Sequence, residues 1–430
     1  MGEKVINAAL LGLGTVGTGV YKVLKNQEEE MTAKIGCKVK IRKILVRNLE
    51  KAAGKVDDPA VLTNSWEDIK ADPSIDIIIE LIGGIEPART YILDALHAGK
   101  HVVTANKDLI AVHGKELMDT ARASHVDFLF EAAVAGGIPI IRPLKQCLAG
   151  NNITEIMGII NGTTNFILTK MKEDGMDFGE ALQLATDLGY AEADPTADIE
   201  GYDAGRKLAI MASIAFHTSV TFDDVFTEGI TKITAKDMRY AKEMGCSIKL
   251  LGIAKNTETG IEVKVHPTMI PENHPLAAVN DSFNAVFVHG DAVDDAMFYG
   301  RGAGKLPTAS AVVADVARNM LFHCNGRIGC SCYKNLPIKQ IGDTTSRYYI
   351  RMRLEDRAGT LAAMAGVFAE NDASIAILLQ KETIENDAEI VVVTHEVAEK
   401  KFMDAIKKFS SMEMVKEISS IIRVYALGNV

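Results

Sequence analysis

The sequence predicts an α/β chain with three parts: a doubly wound parallel sheet, an α+β segment, and a C-terminal βαββαβ unit. Three observations carry this reading. Strand and helix patterns alternate over residues 1–138, a G-x-G-x-x-G turn joins the first strand to the first helix, and the elements after residue 347 follow the βαββαβ order.

Residues 5–11 are β-branched and apolar and form the first strand, 16–27 a helix, and 39–46 the second strand. A short helix over 66–70 follows with Ser65 as its N-cap. Next come the nearly continuous apolar strand 75–81 and a helix over 87–98 that ends at Gly99. Strands 101–105 and 128–132 flank a helix over 113–124. In such a sheet, ligands sit outside the carboxyl ends of the strands.

From about Pro139 the pattern changes to longer helices, 166–171 and 201–216, followed by a strand-rich stretch over 247–288. A glycine-rich turn and a helix occupy 300–321. Residues 324–345 contain Gly, Cys, Asn and Pro without a sustained period and read as a linker. The last segment gives a strand at 348–354, a helix at 359–370, strands at 375–382 and 389–394, a helix at 398–410 and a strand at 421–425. A chain of 430 residues exceeds one ordinary core. The expected domains are therefore 1–138 for nucleotide binding, 139–323 for substrate and subunit contacts, a linker at 324–346, and 347–430. The helix near 305–322 is expected to return to the first domain.

Composition excludes several classes of function. The net charge of −10 provides no surplus of cations for a nucleic-acid backbone or an anionic membrane. The most apolar early stretch, 75–85, is too short to span a bilayer and carries Asp76 and Glu80. Glu3 and Lys4 precede a glycine-patterned turn instead of a cleavage site, so no signal peptide is expected. Six cysteines are too dilute for a disulfide framework and point to a reducing, cytoplasmic compartment. Cys324, Cys330 and Cys332 read as free thiols in the connector, since zinc-ligand spacing is missing.

The motifs then narrow the chemistry. Gly12-Leu13-Gly14-Thr15-Val16-Gly17 lies between a strand and a helix, the context in which this string binds a dinucleotide. Gly12 permits the tight turn, Gly14 lets the backbone approach a pyrophosphate, and Gly17 allows close packing. At the end of the second strand Arg47 stands where an acidic residue would receive the ribose hydroxyls of NAD, with Lys51 a turn further on. A guanidinium there suits the 2′-phosphate of NADP, while NAD stays compatible. Thr104, Asn106 and Lys107 lie at the carboxyl end of a strand, where cofactor and substrate would meet. Glu192, Asp194, Asp198, Glu200 and Asp203 crowd twelve residues, and a ligand bearing an ammonium group would satisfy some of them. Asp203 and Lys207 are four apart on a helix and share a face. They form either an exposed ion pair or a lysine fixed to protonate a developing alkoxide.

These segments, together with the turn at Asn161 to Asn165 and the run from Gly189 through Lys207, resemble the monofunctional homoserine dehydrogenases that carry a C-terminal ACT domain. The resemblance covers essentially the whole chain. It implies a Rossmann domain and reversible NAD(P)-dependent interconversion of L-aspartate 4-semialdehyde and L-homoserine. It also implies Lys207 as proton donor and acceptor with Asp203 beside it, and Lys107 near substrate and nicotinamide. Glu192 would bind the substrate's amino group, with Tyr190, Asp198, Gly162 and Thr163 around it. Cofactor contacts would include Gly12 to Gly17, Arg47, Thr104, Lys107, Gly189, and Gly302 with Ala303. Glu131, Val134, Gly136 and Ile138 match a monovalent-cation site, sodium or potassium, built mainly from backbone carbonyls. Asp356, Gly359 and Leu361 lie in the turn that resembles the ACT ligand site, which implies feedback by L-threonine. A homodimer or homotetramer is implied as well. A related dehydrogenase of another amino acid, or an amino-acid sensor with a vestigial nucleotide fold, are the competing readings. The Asp203 and Lys207 pair argues against the sensor.

Overall fold

The computed structural model describes residues 4–35, 37–321, 335–384 and 387–425. Their described parts form two compact units: Met1–Thr154, Arg206–Phe222 and Asn284–Asn335 in one, Glu155–Gly205, Asp223–Phe283 and Leu336–Val430 in the other.

In the first unit, strands β1 (Lys4–Leu11), β2 (Cys37–Leu45), β3 (Leu62–Thr63), β4 (Ile77–Glu80), β5 (His101–Thr104) and β6 (Phe128–Leu129) lie in the order β3-β2-β1-β4-β5-β6. All five pairings are parallel. The winding reverses between β1 and β4, which opens a crevice at their carboxyl ends. Ile77, Ile78 and Ile79 are fully buried, as the continuous apolar run of a strand covered on both faces requires. The helix Lys305–Leu321 joins the same core through Ala309, Val312 and Val316. Gly19 permits the approach, because a Cβ there would lie 2.6 Å from the Lys305 carbonyl oxygen.

The second unit contains β7 (Ile153–Ile159), β8 (Phe226–Thr227), β9 (Cys246–Thr257) and β10 (Gly260–Pro271). Strands β11 (Phe283–Gly290) and β12 (Asp294–Arg301) fall mainly in the first unit. The second unit is completed by β13 (Thr345–Glu355), β14 (Ile375–Ile384), β15 (Asp387–Thr394), β16 (Val397–Ala398) and β17 (Val415–Val424). Its sheet runs β7-β9-β10-β17-β13-β15-β14, with β8 added beside β10 and β16 beside β13. The last four strands of that order form the βαββαβ module. Its helices Thr360–Glu370 and Glu399–Ser410 supply Met364, Phe368, Phe402 and Phe409 to a core shared with Tyr348, Ile350 and Val392. Among the described residues, Thr268↔Arg423 and Met269↔Val424 pair β10 with β17, in parallel.

Several elements differ from expectation. The helix expected over 113–124 spans Lys107–Ala123, because the Asn106 side chain caps it by accepting from Leu109 N at 3.2 Å. The strand expected over 128–132 stops at Leu129, and Glu131–Ala133 is a 3₁₀ turn. Ser65 is not the N-cap of the short helix, which begins after Trp66, although its hydroxyl still accepts from Asp68 N. Helices Glu28–Ile35, Phe178–Asp187 and Ala235–Glu243, and strand β12, were not anticipated. Part of the expected linker is pinned to β10: Ile261 N donates to the Pro337 carbonyl and Lys339 N to that of Ile261. Cys324, Cys330 and Cys332 lie outside the described residues, and the described cysteines form no disulfide. No helix among the described residues is long and apolar enough to cross a membrane.

Candidate active site

The nucleotide turn is built from two packing demands and one opening. Gly12 has φ +98°, and a Cβ there would lie 2.8 Å from the Leu81 carbonyl oxygen. A Cβ at Gly17 would strike the Gly12 carbonyl at 2.2 Å. At Gly14 it would meet no protein atom within 4 Å. The protein's own packing therefore does not require glycine at Gly14, and the open space over its backbone leaves room for a phosphate to approach. Gly14 also precedes the helix Thr15–Asn26, which has no side-chain cap, so the helix N-terminus presents backbone amides to an anion. A cleft of about 560 Å³ runs from this turn past Val46 to Tyr91. Arg47, Lys51 and Lys55 all line it. Lys55, which sequence reasoning missed, donates to the Leu13 carbonyl at 3.0 Å and clamps the turn.

At the crevice, a buried carboxylate fixes two strand ends. Glu80 is fully buried. It accepts from Ile82 N at 2.7 Å, Gly83 N at 3.2 Å and the Thr104 hydroxyl at 2.6 Å. The Thr104 oxygen accepts in turn from Asn106 N at 3.0 Å, and the Asn106 amide donates to the Gly84 carbonyl at 2.7 Å. Lys107 is thereby the first residue of its helix, half-buried at the carboxyl end of β5. Its neighbour Asp108 lies 3.5 Å from Arg206, the residue before Lys207. Lys107 and Lys207, 100 positions apart in sequence, are each one residue from this ion pair.

The turn that carries the expected cation ligands is closed on itself. The Glu131 carboxylate accepts from Ile140 N, Ile141 N and Arg142 N at 2.6–2.8 Å. Glu131 N donates to Asp315 at 2.7 Å, and Arg142 pairs with the other oxygen of Asp315 at 2.8 Å. Burial pushes the Asp315 carboxyl up to about 6. The Glu131 side chain is thus taken up by backbone amides of its own turn. Ala135 and Gly136 are both left-handed, and a Cβ at Gly136 would meet the Gly302 carbonyl at 2.2 Å. Gly302 in turn packs on Asn284, whose Oδ1 is buried with no hydrogen-bond partner among the described residues. The turn at Gly302 and Ala303 and the turn at Gly136 therefore interlock within the first unit.

The second unit holds the acidic segment. Asn161 caps the helix Gly162–Glu173 by accepting from Thr164 N at 2.9 Å. Its amide nitrogen donates to Asp198 at 2.7 Å and to the buried Asp203 at 2.9 Å. Sequence reasoning placed Asn161 in a motif without a role, and only the tertiary convergence of three segments supplies one. The Thr163 hydroxyl donates to the Tyr190 carbonyl at 2.7 Å, and the Tyr190 ring packs 4.8 Å from Phe166. Gly189, φ +76°, ends the preceding helix in a Schellman motif: Tyr190 N reaches the Ala185 carbonyl and Gly189 N that of Thr186. Helix termination accounts for this glycine without a cofactor. Glu192 is exposed, with no side-chain hydrogen bond or ion pair among the described residues. The helix Tyr202–Ala215 carries Asp203 near its start and half-buried Lys207 one turn on.

In the C-terminal module Gly359, φ +94°, is the N-cap of the helix Thr360–Glu370, with Asp356 exposed before it and Leu361 39% exposed after it. The Thr360 hydroxyl is buried there without a hydrogen-bond partner among the described residues.

Known proteins share this organisation from end to end. A family model described as homoserine dehydrogenase matches residues 139–317, one described as its NAD binding domain matches 12–131, and an ACT domain model matches 348–411. The homoserine dehydrogenase of Bacillus subtilis is 45% identical over 433 residues, covering 99% of each chain. That of Corynebacterium glutamicum is 48% identical over 429 residues, covering 98% of this chain and 96% of the relative. The crystal structure of a homoserine dehydrogenase from Thiobacillus denitrificans superposes with a TM-score of 0.94 at 44% identity, covering 99% of this chain and all of that one. A hyperthermophilic archaeal homoserine dehydrogenase in complex with NADPH matches 75% of this chain and 99% of its own, with a TM-score of 0.64 at 26% identity.

Proposed function

The chain belongs to the homoserine dehydrogenase family and is an oxidoreductase of that activity, and from this premise we propose which of its residues perform each step. A bound nicotinamide supplies or accepts the hydride at the carbon that interconverts between aldehyde and alcohol. In the reductive direction Lys207 donates a proton to the aldehyde oxygen as negative charge develops on it, and Asp203 fixes the ammonium that carries the proton. Glu192 and Asp198 accept from the substrate's ammonium group. Thr163, Gly162 and Tyr190 shape the wall beside it, and Lys107 polarises the reacting end. The observation that carries this reading is the Asn161 amide, which binds Asp198 and Asp203 together one helical turn before Lys207.

NADP is the proposed cofactor, on the strength of the three cations that line the cleft at the end of β2. The turn from Glu131 to Ile138 is proposed to hold sodium or potassium through its carbonyls, a charge that would fix an otherwise strained loop. L-Threonine is the proposed effector at Asp356, Gly359 and Leu361, and the enzyme is proposed to act in the cytoplasm as a homodimer or homotetramer.

The test follows oxidation of NADPH and of NADH by purified protein with aspartate semialdehyde, with and without threonine. Lys207→Ala should lower kcat by roughly 10²–10⁴-fold, while NADPH binding measured by its fluorescence stays intact. Near-normal turnover of that variant would remove Lys207 from the mechanism.

A further inference from the structure

The second unit contains a cavity of about 260 Å³ where β10 meets β17 and the start of β13. That is room for roughly eight water-sized groups. Four cations line it, Lys255, Lys264, Arg347 and Arg423, against the two carboxylates Glu262 and Glu396. Lys264 and Arg423 are more than nine-tenths buried. Glu262 is shared between Lys264 and Lys339, each at 3.4 Å, so it satisfies neither closely. Arg347 is half-buried, and its side chain makes no ion pair or hydrogen bond among the described residues.

His266, 2% exposed, also lines the cavity. The ring Nδ1 faces the Thr268 hydroxyl at 2.9 Å and the Pro267 carbonyl at 3.0 Å; because a carbonyl can only accept, Nδ1 is assigned the proton, and the Thr268 hydroxyl donates to the His266 carbonyl at 3.1 Å. Nε2 is then a bare acceptor, buried and without a partner. Burial and the nearby Arg423 and Lys264 hold this imidazole well below its ordinary range and so neutral. Arg423 has Glu399 and Glu228 as partners and Lys255 has Glu155 at 3.3 Å, so the unanswered charge at the cavity is that of Arg347, which an anion would satisfy.

We propose that this cavity binds a small oxyanion that also carries an O–H or N–H donor, such as hydrogen phosphate or a short hydroxy or amino acid, and that binding is felt at the substrate-binding segment. The route is a set of direct contacts. Arg423 pairs with Glu399 at 2.6 Å and with Glu228. Glu228 precedes Gly229, where a Cβ would strike the Ile199 carbonyl at 2.1 Å. Ile230 N donates to that same carbonyl at 2.8 Å. Ile199 follows Asp198, which Asn161 holds. An anion that draws on Arg423 loosens its hold on Glu228, and Glu228 leads through three residues to Asp198.

The experiment uses the full chain saturated with NADPH, so that the phosphate-binding cations of the cofactor cleft are occupied. Inorganic phosphate and, separately, L-lactate are titrated by calorimetry at ionic strength held constant with potassium chloride, and the KM for aspartate semialdehyde is measured in parallel. We expect one of the two to bind, the KM to move by about fivefold, and Arg347→Ala and Lys264→Met each to weaken binding by about tenfold or more. Binding of phosphate alone identifies a phosphate site, and binding of lactate alone a carboxylate site. No heat from either, or heat unchanged in both variants, overturns the site. Binding without a KM change overturns the coupling. The kinetic arm rests on the proposed function: a wild-type protein that fails to turn over aspartate semialdehyde would sink that reading and leave the calorimetric result to stand or fall alone.

Discussion

Asn161→Asp isolates the one interaction on which the reading of the acidic segment depends. The substitution is nearly isosteric, and it keeps an oxygen to accept from Thr164 N, so the cap of the helix Gly162–Glu173 survives. What it removes is an amide nitrogen that donates to Asp198 at 2.7 Å and to Asp203 at 2.9 Å, putting a third carboxyl group between two others. A hydrogen bond to a charged group contributes about 1.5–3 kcal/mol. If the Asp203 bond alone is needed to hold Lys207 in register, kcat/KM for aspartate semialdehyde falls by roughly 10–150-fold. The new carboxyl group has its pKa raised by its two neighbours. The defect should therefore be largest at alkaline pH and shrink as acidification protonates the group. The assay is initial-rate NADPH oxidation from pH 6 to 9, with thermal unfolding of the same samples. A variant that melts normally and keeps kcat/KM within about twofold of the parent would refute the reasoning, because the amide would then join the two aspartates without consequence.

Thr104→Val keeps the volume but leaves the buried Glu80 without its 2.6 Å hydroxyl donor, so urea unfolding should show a loss of about 1.5–3 kcal/mol. Arg47→Glu should raise the KM for NADPH by about tenfold or more, near 1.4 kcal/mol, with much less effect on NADH, read from paired steady-state assays. Lys249 is buried against the Asn165 oxygen, the Val279 carbonyl and the Asn280 oxygen, and burial lowers its pKa to about 7 from 10.5. Between those values the unfolded chain binds a proton that the folded chain does not, so the cost of burying this lysine is fully present below pH 7 and fades as pH rises toward 10.5. Lys249→Met should flatten that rise, worth up to about 1.4 kcal/mol per pH unit, in denaturant titrations at pH 7 to 10.

Local pattern made the sheet legible. The apolar run at β4 and the glycine turn after β1 announce the doubly wound order without any tertiary information, and the six elements after residue 347 do the same for the C-terminal module. Pattern failed where a side chain reaches across the chain. The helix after β5 starts six residues earlier than its periodicity suggests, because Asn106 caps it while tied to Gly84. The site divides in the same way. Gly12, Gly17 and the Asp203 and Lys207 spacing are readable because turns and helical faces are short-range. Asn161 and Lys55 are not, since an amide that bridges Asp198 and Asp203 over some forty positions leaves no periodic trace.

The C-terminal module meets the rest of its unit at a joint that contains buried charge, and this bears on how an effector could act. Its own core, with Tyr348 stacked on Phe402 at 3.5 Å, is complete within the module. The joint instead contains Arg351, which meets Asp237 at 3.0 Å and Glu389 at 3.2 Å, and Arg423, which meets Glu399 and Glu228. Lys236 and Tyr240, on the same helix as Asp237, also reach Glu389. Buried pairs of this kind add little net stability over an apolar replacement, yet removing one partner costs about 3–5 kcal/mol. They fix one arrangement of the module instead of cementing it. Among the described residues, strand pairing adds two residues of parallel register at β10 and β17, and Tyr425 N donates to the Met269 carbonyl at 2.8 Å. A ligand that redistributes charge at Arg423 or Arg351 therefore acts on the contacts that select this arrangement of the module, since Arg351 meets Asp237 and Arg423 meets Glu228 outside it.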